Sequence, residues 1–106
     1  LEETVVVWGG EFGRTPQSEK GDGRDHNPFG FSMWLAGGGF KAGHIHGETD
    51  EWGHRSVRDK ANHYDYHATL LRLFGLDHNQ LNYKRGGRVQ SLIDGQPARL
   101  IEEVLV

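Results

Sequence analysis

Apolar positions along the chain come in short bursts separated by long polar, glycine-rich stretches. The first burst is Thr4, Val5, Val6 and Val7, followed by Trp8. It is continuous rather than alternating, the pattern of a parallel strand covered on both faces. Gly9 and Gly10 end it, and residues 9–28 then read as one long loop, rich in glycine and carrying Pro16 and Pro28. A loop of that length in a compact domain is functional or disordered. FSMWLAGGG, residues 31–39, is a second apolar run closed by glycines, and it predicts a second central strand. Residues 37–56 form another polar, glycine-rich connection. The strongest helix signal is DYHATLLRLFGLD, residues 65–77, where Ala68, Leu70, Leu71, Leu73 and Phe74 make an apolar stripe. Asp65 is its expected N-cap and Gly75 its expected stop. YKRGGRVQSL predicts a hairpin turning at Gly86 and Gly87, and RLIEEVLV at the end is a short helix or a strand. Strand, long loop, strand, connection and helix make an α/β pattern. In such sheets ligands collect at the carboxyl ends of the strands, where the loop after Trp8 lies.

Composition adds a constraint. The chain has 106 residues and is 35% hydrophobic, below the ~45–50% usual for globular domains. A lone domain so poor in apolar residues is marginal. Either the chain packs against parts it does not contain, or functional loops occupy much of it. Leu1 is not a natural initiator, which also suggests a piece cut from a longer protein. The net charge of −3, with Lys and Arg spread thinly, argues against a dominant nucleic-acid role. No apolar stretch is long enough to span a bilayer, and the start does not look like a signal. Without cysteine, disulfides, zinc–thiolate sites and thiol catalysis are excluded.

Four constellations could carry chemistry. In GGEFGRTP, Glu11 stands in a glycine turn just past a strand, placed to hold a metal, with Arg14 placed to hold an oxyanion. An ordinary loop ion pair between the two explains the same residues. Asp25 and His26 precede Asn27 and Pro28; carboxylate and imidazole suit Zn, Mn or Fe, and a loop can splay adjacent ligands. Alternatively, Asp25 caps backbone amides and His26 is solvated. In HIHGETDEWGH, His44 and His46 alternate, while Asp50 and His54 are spaced i, i+4; a metal site and a polar surface loop both fit. His63, Asp65 and His67 need no role beyond starting the helix. There is no G-x-S-x-G elbow and no phosphate-binding P-loop.

VVVWGGEFGRTP, GRDHNPFGFSMWLAGGGFKAG, TDEWG and DYHATLLRLFGLDH together resemble the C-terminal end of an uncharacterised bacterial sulfatase-like family, domain of unknown function 1501. That family is placed with the alkaline phosphatase superfamily. The resemblance implies the C-terminal part of a three-layer α/β/α fold with a mixed, mostly parallel sheet, residues 1–106 forming one partial domain. It implies a metal-dependent sulfatase- or phosphatase-like hydrolase that uses a divalent metal (Zn, Mn or Ca). Glu11, His26 and Asp25 would be metal ligands, and Arg14, Asn27, Asp50 and His54 would contact substrate. Phe12 departs from the pattern, standing where a second ligand would be. The nucleophile has no counterpart here, so the fragment alone would hold no catalytic residue and would be inactive. Its implied partners are the missing N-terminal part of the same domain and an anionic small molecule or glycan ester, with neither nucleic acid nor membrane. The parent protein would be exported. The alternative is a non-catalytic protein on the same fold that binds an anion or a partner.

Overall fold

The computed structural model describes residues 1–106, which form two compact units: residues 1–60 with Val106, and residues 61–105. In the first unit, β1 (Val5–Trp8), β2 (Gly13–Arg14), β3 (His26–Asn27), β4 (Trp34–Gly37), β5 (Glu48–Thr49) and β6 (Ser56–Arg58) pair as β1–β4, β2–β3 and β5–β6. Every pairing is antiparallel. The second unit holds α1 (His63–Leu73), the β7 (Asn82–Arg85)–β8 (Arg88–Ser91) hairpin, also antiparallel, and a 3-10 turn at Glu102–Val104.

This architecture corrects the expected α/β/α fold. There is no parallel strand pair, no sheet of more than two strands, and one helix of 11 residues. The positions of β1, β4 and the β7–β8 hairpin follow from the sequence, whereas β2, β3 and β5 fall inside stretches that read as loop, and the strand partners were not legible. A continuous apolar run shows that both faces of a strand are apolar; it does not specify the direction of the neighbour. β1 and β4 meet in the register Val5↔Gly37, Val6↔Ala36, Val7↔Leu35 and Trp8↔Trp34. Residues directly opposite share a face, so Val6, Trp8, Trp34 and Ala36 line one side and Val5, Val7 and Leu35 the other. The first side is largely open, with Trp8 71% and Trp34 56% exposed, and the second is half-buried at Val5 and Leu35 with Val7 42% exposed. The glycines after β4 shape the strand end. Gly37 has φ +75, and a Cβ there would lie 2.2 Å from the Thr4 carbonyl oxygen.

The second unit is held largely by polar pins. Asn62, three residues before the expected cap, is the N-cap of α1; its Oδ1 accepts from the Tyr64 and Asp65 backbone N–H groups at 2.8 and 3.0 Å. Asp65 is the reciprocal member of a capping box, its Oδ2 accepting from Asn62 N at 3.0 Å. The helix ends as expected, with Gly75 in the left-handed region at φ +74. Asp65 and Thr69, one helical turn apart, both face the tail. Asp65 Oδ1 accepts from Arg99 N at 2.8 Å, and Thr69 Oγ1 accepts from Ile101 N at 3.0 Å while donating to the Asp65 carbonyl at 2.7 Å. Ala68 and Ile101 are the only buried hydrophobic residues in the chain. Gly86 and Gly87, with φ of 58 and 78, make the tight turn of the β7–β8 hairpin.

Thr69→Val keeps the shape of the side chain but strips the Ile101 N–H of its partner in a buried position. It should destabilise the fold by about 1–3 kcal/mol, read as a lower urea midpoint, whereas Thr69→Ser should retain most of the stability. Equal midpoints for Thr69→Val and the natural chain would contradict the pinning role.

Candidate functional site

The loops between β1 and β6 gather around one buried amide. Asn27 is 1% exposed and is the largest fully buried side chain. Its Nδ2 donates to the His54 carbonyl at 2.9 Å, and its Oδ1 accepts from Phe29 N at 3.1 Å. The Phe29 carbonyl in turn accepts from Ser56 N at 2.8 Å. A buried amide is tolerated only when both ends are paired, so Asn27 locks the turn after β3 onto the segment leading into β6. Gly30 permits that approach, since a Cβ on it would lie 3.1 Å from the Arg55 and Ser56 backbone. Gly13 is equally confined, its Cβ position being 2.7 Å from the Gly30 carbonyl oxygen.

The β5–β6 turn is organised by Asp50. Its Oδ1 accepts from Trp52 N at 3.1 Å and His54 N at 2.9 Å, and its Oδ2 accepts from Arg55 N at 3.0 Å. Asp50 N also donates to the Arg55 carbonyl at 2.9 Å. The His54 N–H is the leading cause that holds the Asp50 carboxyl below its ordinary 3.8, and the Arg55 and Trp52 amides act the same way against a partial burial penalty. On the other side, β2 and β3 extend into a stapled loop. Thr15 N donates to the Asp25 carbonyl at 2.9 Å, Asp25 N donates to Thr15 Oγ1 at 3.1 Å, and Arg24 Nη1 donates to the Pro16 carbonyl at 2.8 Å. Pro16, Gln17, Trp52 and His54 then line an open groove of about 470 Å³.

The expected metal ligands are not assembled. Nowhere do three or more His, Asp or Glu side chains come together to hold an ion. The physical reason is visible around β3. His26 lies in β3, while Asp25 precedes the strand with its backbone N–H donating to Thr15 Oγ1 and its carbonyl accepting from Thr15 N. The His26 ring instead stacks on Phe12, centroids 3.9 Å apart, and the Arg14 guanidinium carbon lies 5.5 Å from the Phe12 centroid. Phe12, which reads as the loss of a ligand, is a partner for His26. Together with the antiparallel topology, this overturns the metal-dependent sulfatase/phosphatase-like hydrolase, its hydrolase and metal-binding descriptors, and the binding protein imagined on that same fold.

Among the residues assigned to substrate, Arg14 is exposed opposite His26 in the β2–β3 pair. Asn27 is buried and Asp50 spends its carboxylate on backbone amides. His54 lines the groove. Glu11 stands exposed in the turn before β2. His44 and His46 have ring centroids 6.3 Å apart, and His46 Nε2 is buried without a hydrogen-bond partner. Sequence reasoning missed Trp52, Gln17 and Pro16. The signal for Trp52 was available: an Asp two residues before it and a Gly after it make an Asx-type turn that presents the residue between them.

As pH falls, the Asp50 turn should loosen. A carboxyl with a lowered folded pKa contributes stability that is complete above the unfolded value and is lost as pH drops through the folded one. In an NMR titration the Asp50 carboxyl should therefore have a midpoint below 3.8, with the His54 and Arg55 amide resonances moving in step; a midpoint at or above that value would contradict the geometry described.

Residues 1–105 match a family model described as "Protein of unknown function (DUF1501)". No curated protein and no solved structure matches the chain.

Proposed function

The chain belongs to the DUF1501 family, and we propose that it works as a docking unit whose β1–β4 ribbon joins further polypeptide of the same domain. The observation that carries this reading is the bare ribbon. Trp8, Trp34, Val6 and Val7 expose apolar surface on both of its faces. A two-stranded ribbon is marginal alone and gains stability from added strands or a covering layer. Each large side chain newly covered is worth about 1.5–3 kcal/mol, and the outer edges of β1 and β4 offer backbone groups to a new strand. The second unit points the same way, since Ala68 and Ile101 give it little apolar interior of its own. No helix is long and apolar enough to cross a membrane.

The test compares the 106-residue chain with the same chain joined to the polypeptide encoded beside it. Alone, it should bind anilinonaphthalene sulfonate with a strong rise in fluorescence. Trp8→Lys with Trp34→Lys should remove most of that signal while the far-ultraviolet circular dichroism stays unchanged, and the longer protein should bind little dye. A chain that alone binds no dye, or a longer protein that binds as much, would overturn the docking reading.

A further inference from the structure

The groove between the Pro16 loop and the Asp50 turn is a second feature, separate from the ribbon. Trp52 stands on it 73% exposed, among the most exposed large apolar side chains of the chain. Leaving an indole in water is costly, and here it is not the result of a loose loop. The Trp52 amide is tied to Asp50, the His54 amide is tied to the same carboxylate, and the His54 carbonyl is tied to the buried Asn27 amide. The backbone at Trp52 and at His54 is therefore fixed before any ligand arrives, which lowers the ordering cost of binding. The opposite wall is also held, through Thr15 Oγ1 donating to the Gln17 carbonyl at 2.8 Å and Arg24 to the Pro16 carbonyl.

The chemistry of the lining selects the ligand. Pro16 and Trp52 offer apolar faces, and Gln17 and His54 offer a neutral amide and an imidazole. No Asp, Glu, Lys or Arg lines the groove, and the nearby Asp50 carboxylate is consumed by backbone N–H groups. A charged ligand would find no counter-charge there. A flat apolar face combined with an amide and an imidazole, each able to donate and accept, matches one common class of molecule. A sugar ring has an apolar C–H face that can lie on an indole and equatorial hydroxyls that can exchange hydrogen bonds with an amide and an imidazole. The groove is open to solvent, so a ring laid on Trp52 would keep one face in water. We propose that this groove binds a neutral saccharide, with one ring stacked on Trp52 and its hydroxyls meeting Gln17 and His54.

The test uses the full 106-residue chain and reads the indole N–H resonances of Trp8, Trp34 and Trp52 separately by NMR, the Trp52 peak being assigned by its loss in Trp52→Phe. The probes are cellohexaose, xylohexaose and chitohexaose, with a heparin-derived hexasaccharide as the charged comparison. At least one neutral probe should shift the Trp52 peak saturably. Backbone shifts at Gln17 and His54 should follow the same curve; Trp52→Ala should abolish them, and Trp52→Phe should weaken binding by about tenfold, equivalent to about 1.4 kcal/mol. Because Trp52 is exposed, neither variant should alter the remaining spectrum, and unchanged peaks elsewhere verify this. The proposal is overturned if no probe moves the Trp52 peak, if the shifts centre on Trp8 or Trp34, or if only the heparin fragment binds. None of these outcomes bears on the ribbon, so the docking reading stands or falls by its own experiment.

Discussion

The first unit depends on the burial of one polar side chain. Asn27 has almost no contact with solvent, yet both ends of its amide are paired with backbone groups. Removing either partner would leave a buried donor or acceptor unsatisfied, the costly side of the hydrogen-bond balance. That requirement fixes the turn after β3, brings the Phe29 carbonyl to Ser56, and leaves a Cβ at Gly30 only a tight fit, 3.1 Å from the Arg55 and Ser56 backbone. It also sets the position of His54 and, through the Asp50 turn, the presentation of Trp52. A side chain that reads in the sequence as a substrate contact is thus the piece around which the groove is built.

Polar pins recur in the second unit, where Asp65 and Thr69 hold the tail segment that contains Ile101. In both units hydrogen bonds to backbone do the positioning that a larger apolar core does elsewhere. Val6, Val7, Trp8 and Trp34, the large apolar residues of the β1–β4 ribbon, stay exposed at the surface. This division explains why the low hydrophobic content is compatible with ordered loops.

How much was legible follows from the range of the interactions involved. The helix, its glycine stop and the Gly86–Gly87 hairpin are local, and the sequence placed them well. The cap was misplaced by one turn because Asn62 and Asp65 are both good caps, and only the structure shows that they act as a reciprocal pair. β1 and β4 were located but not paired, since they meet across a long loop and the apolar pattern does not encode direction; the two-residue strands β2, β3 and β5 are too short and polar to stand out from loop. Phe12 could be understood only once β2 and β3 were paired, which brings its ring onto His26. The family resemblance was correct as to DUF1501 over residues 1–105. The fold and chemistry inferred through it were not.

The central claim is that the loops are complete in themselves and the ribbon is not. Amide hydrogen exchange on the 106-residue chain tests it most directly, because local opening free energies differ between self-sufficient and unsupported elements. The amides of Phe29, His54 and Ile101, bonded to buried or half-buried side chains, should be the slow ones, and those of β1 and β4 should exchange far faster. Ribbon amides as protected as Ile101 would mean that β1 and β4 are stable without a partner, and would contradict the account.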